Sequence, residues 1–208
     1  MSTTAPPPST DPSLLMRLRD AQDSQAWGLF VSVYGPMIAR FCRRRGLQDA
    51  DAFDVSQEVL AKVSQALRSF EYQPETGRFR HWLGSVVRSR LAEFFAERQR
   101  QQSASGKPPP DAFFLEEAIE GGIDAEWTQQ FHDHLLRVAM ERAEADFDPI
   151  NWQAFDLSWR QNVPVAEVAQ QLNLPVAAVY VARYRILERL RKEVLMLAED
   201  IPSLFSTD

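Results

Sequence analysis

The residue types that do covalent chemistry are thinly spread in this chain. There is no G-x-S-x-G, no phosphate loop and no C-x-x-C. His132 and His134 flank Asp133. Two positions apart on a helix they point about 200° from one another, too divergent to share a zinc ion. Asp49, Asp51 and Asp54 are close in sequence, but the glycine and terminal glutamate of a calcium loop are missing at the required offsets. These absences predict a protein without enzymatic activity and without a cofactor. What remains is chemistry of contact. Arg78–Arg100 holds six arginines against Glu93 and Glu97, a net of +4, interleaved with Phe79, Trp82, Phe94 and Phe95. Arginines beside aromatics can track phosphates and stack bases. Most of these aromatics fall on one helical face and suit a core better, which leaves the outward arginines as the contact candidates. Val176–Lys192 holds five basic residues and one acid, Glu188.

The second basic stretch ends a recognisable unit. Val165, Val168, Ala169 and Leu172 fall at i, i+3, i+4 and i+7, one face of a helix. Asn173-Leu174-Pro175 breaks the pattern, and Pro175 suits the first turn of a new helix. That second helix carries Val176, Val179, Ala182, Ile186 and Leu190 inward. Ala177, Ala178, Tyr180, Val181, Tyr184 and Arg185 then face outward. This is the pattern of a helix-turn-helix, whose second helix enters a DNA major groove. A plain helical hairpin shares the pattern.

The remaining elements are helical as well. Residues 1–12 read as a disordered Pro/Ser/Thr-rich tail. Ser13 suits the cap of a short helix with Leu14, Leu15 and Leu18. Ser24–Arg45 places Trp27, Val31, Tyr34, Ile38 and Phe41 at helical spacing, with a kink expected at Gly35-Pro36 and an end at Gly46. The triplet Arg43-Arg44-Arg45 then complements the helix dipole. Asp51–Phe70 spaces Val55, Val59, Val63 and Leu67 by four and shows Asp54, Gln57 and Glu58 on its outer face. Asp54 and Glu58 repel at i, i+4. Either the dipole absorbs that cost or the face docks a basic partner. Residues 71–78 form a loop around Pro74 and Gly77. Residues 79–100 and 127–145 are helices, and Asp148-Pro149 starts another with Trp152, Phe155 and Trp159. Residues 101–125 form a flexible acidic linker. Gln101–Ile150 holds three cations against eleven acids, a net of −8.

The fold expected is all-α, with two helical domains joined by that linker: 13–100 and 126–198. No apolar run reaches the ~20 residues of a membrane span. The first residues lack a signal peptide's basic start and apolar core, and Cys42 is the lone cysteine. Together these predict a cytoplasmic protein with no membrane partner. Net charge is −6, so the chain is not a bulk-basic nucleic-acid binder; its charge is segregated.

The stretches SLLMRLRDAQDSQAW, YGPMIARFCRRRGL, DVSQEVLAKVSQALRSFEYQPETGRFRHWL and VAEVAQQLNLPVAAVYVARYRILERLR, in that order, resemble the sigma-70 family of RNA polymerase sigma factors. The resemblance is to the short extracytoplasmic-function (ECF) type with only the second and fourth conserved regions, in versions common in planctomycete-type bacteria. It implies that Asp54, Gln57 and Glu58, as the family's D-x-x-Q-E element, dock the clamp helices of the polymerase largest subunit, with a second contact to the flap. It implies that the loop ending at Arg78, with Phe79, Arg80 and Trp82, reads and opens the minus-ten element around a flipped base. Arg88, Ser89 and Arg90 would contact the DNA there. The helix-turn-helix would read the minus-thirty-five element through Ala177, Ala178, Tyr180, Val181, Arg183, Tyr184 and Arg185. The linker would thread the polymerase's active-site cleft, and an anti-sigma factor is a further partner the resemblance allows. Three residues depart from the family pattern. Ser89 stands where asparagine is common, Tyr180 where lysine or arginine is common, and Ala182 where arginine is common. Two other readings stay open: a stand-alone helix-turn-helix regulator, and a degenerate sigma-like antagonist that binds polymerase without opening DNA.

Overall fold

The computed structural model describes residues 14–67, 79–104 and 123–198; among these every regular element is helical. They form two compact units, one through Phe131 and one over His132–Leu197.

The first unit starts with α1 (Leu14–Arg17) and α2 (Ser24–Arg44). Asp23 caps α2: its carboxylate accepts the Ala26 N–H at 2.9 Å and binds the Arg17 guanidinium at 2.9 and 3.0 Å. One acid therefore satisfies a helix end and ties α1 to it. Pro36 lies inside α2, which is nonetheless one continuous element. The helix ends at Gly46, whose φ of 87° suits only glycine among the residues there. Gly46 N–H reaches the Arg43 carbonyl at 2.9 Å and Leu47 N–H the Cys42 carbonyl at 3.3 Å, a Schellman closure sealed by buried Leu47. Val31, expected inside, is 41% exposed; the buried arc of α2 runs through Phe30, Val33, Tyr34, Met37, Ile38 and Phe41 instead.

Helix α3 (Asp49–Leu67) and helix α4 (Phe79–Ala104) complete the bundle. The four-residue spacing of Val55, Val59, Val63 and Leu67 on α3, and of Phe79, Leu83, Val87 and Leu91 on α4, is buried throughout. Helix α4 runs four residues beyond the expected end at Arg100. The rings of Phe30, Tyr34 and Phe79 meet at centroid distances of 4.5, 5.7 and 6.1 Å.

The last piece of this unit comes from helix α5 (Ile123–Glu144). Periodicity assigns Trp127 to the second domain, but its side chain is buried in the first unit. Its indole N–H donates to the Arg80 carbonyl at 2.8 Å, and its ring meets Phe41 edge-on at 5.1 Å. The indole lies on Gly84, where a Cβ would stand 2.8 Å from Nε1. Beside it, Glu126 pairs with Arg45 and Arg44.

In the second unit, α6 (Pro149–Phe155) is capped by Asp148, whose carboxylate accepts the Ile150 N–H at 2.9 Å with Pro149 in the first turn, as its sequence indicates. The chain then widens into a π-helical turn over Asp156–Arg160. The buried Ser158 hydroxyl donates to the Ala154 carbonyl at 2.7 Å, the back-bonding that loosens a helical ladder. The wider turn stacks Trp159 on Phe155, with centroids 5.2 Å apart and an interplanar angle of 16°. Helix α7 (Val165–Gln171) and helix α8 (Val176–Leu197) follow. Between them Asn173 adopts a φ of 52°, and Leu174 N–H closes on the Ala169 carbonyl at 2.9 Å. Pro175 stands just before α8, its carbonyl accepting the Ala178 N–H at 2.8 Å. Ala154, Val168, Ala169 and Val179 form the small-residue core that lets α7 and α8 approach closely.

Candidate nucleic-acid interface

On α3 the residues Asp54, Gln57 and Glu58 share an exposed face, joined by Phe53 at 57% exposure. Glu58 is not a loose surface acid, because it is ion-paired with Arg90 on α4. Arg90 also reaches Glu93 at 3.4 Å and Glu97 at 3.6 Å, while Lys62 on α3 binds Glu93 at 3.0 Å. This lattice laces α3 to α4 and sets Glu58 in one orientation while leaving about half its side chain in water. The bond to Glu58 raises the Arg90 pKa, and the bond to Lys62 lowers that of Glu93.

Arg90 was expected to face outward toward a DNA backbone. Its side chain is only 11% exposed and is committed to the carboxylates. The outward placement is therefore corrected: Arg90 braces the α3–α4 seam. Arg80 is corrected in the same way, while Phe79 takes the core place its apolar spacing gives it. Phe79 is 1% exposed, a core plug against Phe30, Tyr34 and Trp82, and Arg80 is 5% exposed with its carbonyl holding the Trp127 indole. Helical periodicity brings them inward, since 79, 83, 87 and 91 make the buried row and position 80 lies beside it. Trp82 and Arg88 are half-buried, and Ser89 is exposed with its hydroxyl 3.4 Å from Glu93. Arg78 and the loop before it lie outside the described residues, as do the tail 1–12 and residues 105–122 of the linker.

On α8 the inward row holds Val179, Ala182, Ile186 and Leu190, each no more than 5% exposed. Ala182 is therefore core, and an arginine there would have to leave it. Val176, expected inward, is 47% exposed because the helix begins at that residue and its first turn overhangs the core. Tyr180, Val181 and Tyr184 are exposed at 56, 47 and 67%, and Ala177 and Arg185 are exposed too. Ala178 and Arg183 are half-buried. Arg189, counted in the basic run, is spent internally on Asp146 at 2.8 Å and on buried Glu193 at 2.7 Å.

His134, read as a surface residue, is 3% exposed and contacts Arg137 at 2.9 Å through Nδ1. Among the described residues, no three His, Cys, Asp or Glu side chains converge as a metal site would require. Cys42 is buried, and burial pushes its thiol up to about 12, far from a reactive thiolate. Among the described residues, no helix is long and apolar enough to cross a membrane.

The Trp127–Gly84 contact was missed by sequence reasoning. A glycine inside a helical pattern was its one signal.

No curated protein matches the chain. Residues 30–101, from the middle of α2 almost to the end of α4, match the family Sigma-70 region 2. The match contains the Asp54, Gln57 and Glu58 face and the lattice that sets it. Over residues 30–101, about a third of the chain, the sequence is thus similar to Sigma-70 region 2.

Proposed function

We propose that this protein is a sigma factor of the short ECF type, acting in the cytoplasm: it binds core RNA polymerase, recognises two promoter elements and promotes strand opening. The observation that carries this reading is the region 2 match together with the exposed Asp54, Gln57 and Glu58 face. The face is polar and acidic, with Glu58 held by Arg90, which suits a basic coiled-coil partner such as the clamp helices. Phe53 beside it supplies an apolar anchor. The minus-ten contacts fall to the loop ending at Arg78, to the exposed parts of Trp82 and Arg88, and to Ser89. Phe79, Arg80 and Arg90 support them from within.

The helix-turn-helix is proposed as the region 4 reader of the minus-thirty-five duplex, with α8 in the groove. A groove of about 970 Å³ in the second unit, floored by Leu136, Met140, Phe147, Trp152 and Trp159, suits the contact to the flap. An anti-sigma partner would compete for these same faces.

Capture of the full chain by purified core polymerase tests the docking. Asp54→Ala and Gln57→Ala should each weaken capture about tenfold, while a substitution at an exposed residue outside α3, such as Arg19→Ala, leaves it unchanged. Equal capture of all four proteins would refute docking through this face.

A further inference from the structure

The first turns of α8 carry no charged or amide side chain, and the Tyr180 hydroxyl is their one polar side-chain group. Between Val176 and Ala182 there is no Arg, Lys, Asn, Gln, Asp or Glu. What the helix exposes instead is Val176, Ala177, Tyr180, Val181 and Tyr184. At about 100° per residue these cover an arc of about 140°, opposite the buried row of Val179, Ala182, Ile186 and Leu190. Arg183 borders the arc on one side and Arg185 on the other. An exposed aliphatic and aromatic strip flanked by cations is an unusual surface for a soluble helix. It is costly in water, so its occupant must offer apolar surface at the centre and negative charge at the edges.

In a major groove the apolar feature on base edges is the thymine C5-methyl group, and the flanking walls are phosphates. We infer that α8 selects a T·A-rich duplex by burying thymine methyl groups against Val176, Ala177, Tyr180, Val181 and Tyr184, while Arg183 and Arg185 hold the phosphates on either side. The inference rests on the helix-turn-helix being the duplex reader proposed above, and it adds what that reader recognises. The N-terminal residues of a recognition helix are the ones that reach base edges, and here those residues are apolar.

Replacing dT by dU tests it cleanly, because it removes the methyl group and leaves base pairing and charge intact. Full-length protein with core polymerase is first used to select upstream sequences from randomised duplexes. Each enriched dT is then changed to dU in turn, and retention is measured. T·A-rich selection, with a loss of about three- to fivefold per critical methyl, is expected from the burial of one such group. Tyr184→Ala should erase the dU penalty at one or two positions while the protein still binds core; Tyr184 is exposed, so its loss leaves the fold intact. Selection of G·C-rich elements, indifference to dU, or a penalty untouched by Tyr184→Ala would each overturn methyl readout while leaving the duplex reader standing. Failure to enrich any upstream duplex sequence would overturn both, by removing the reader itself.

Discussion

The two units invert the usual division of residue types in opposite directions. In the first, a charged residue goes in: Arg90 is folded into the α3–α4 seam and meets three glutamates. In the second, apolar residues come out: Val176, Tyr180, Val181 and Tyr184 stand in water along α8. Counting arginines treats the two helices alike, as basic stretches. The structure separates them, because a paired arginine is no longer a phosphate contact. What it leaves behind on α3 is an oriented acidic face. On α8, where Arg189 is likewise consumed by Asp146 and Glu193, what remains is an apolar reading strip with cations at its edges. In each unit the proposed contact surface departs from the inside–outside rule.

The first prediction concerns how the first unit is closed, and its effect is the largest. Trp127→Ala removes a buried indole and should cost about 3–5 kcal/mol in denaturant unfolding of that unit. Gly84→Ala should cost about 1–3 kcal/mol, since its Cβ would press on the indole. In a Trp127→Leu background the same Gly84→Ala change should be near neutral or stabilising. Additive costs would mean that the two residues do not meet.

Arg90→Leu sharpens the comparison next. Glu58, Glu93 and Glu97 stay about half in water, so the stability cost should be only about 1 kcal/mol. Capture by core polymerase should fall further than stability does, because Glu58 loses its orientation. A variant that loses stability yet docks normally when folded would contradict the orienting role and leave Arg90 a brace alone.

In the second unit Asn173→Ala should cost about 1 kcal/mol, since alanine pays the left-handed backbone penalty that asparagine tolerates, and Asn173→Gly should not. Thermal unfolding of the pair gives the sign.

The smallest effect is one of pH. Arg17, then the Ala26 N–H, hold the Asp23 pKa below the usual carboxylate value. Because the folded pKa is depressed, the stability it contributes is present above the ordinary carboxylate pKa and is lost as pH falls through the folded one. Arg17→Met should flatten that part of the acid unfolding curve, read by circular dichroism.

Several of these features were legible in the residues themselves. Asp148-Pro149, Gly46 and Asn173-Leu174-Pro175 announce helix ends through local backbone chemistry, and each is found where expected. The exposed triad on α3 follows from the four-residue spacing of its valines. Other features depend on contacts far apart in sequence. Trp127 and Arg80 are 47 residues apart, and periodicity cannot tell which core an apolar residue joins. The pairing of Arg90 with Glu58 spans 32 residues and turns a candidate DNA contact into a brace. The π-helical turn carries a buried hydroxyl, at Ser158, bonded to the Ala154 carbonyl, a local bond that no periodic pattern reveals. Val176 misled because periodicity counts a face without seeing where the helix begins.

On the proposed function, the acidic face of the first unit hands this protein to RNA polymerase so that the complex starts transcription. Run-off transcription with purified core polymerase on a supercoiled genomic library tests it most directly, comparing the native chain with Asp54→Ala and Gln57→Ala. Defined start sites are expected with the native chain, lost or sharply reduced in both variants. Start sites that persist undiminished in the variants would contradict it, and so would a native chain that shifts duplex DNA alone and starts nothing with the polymerase.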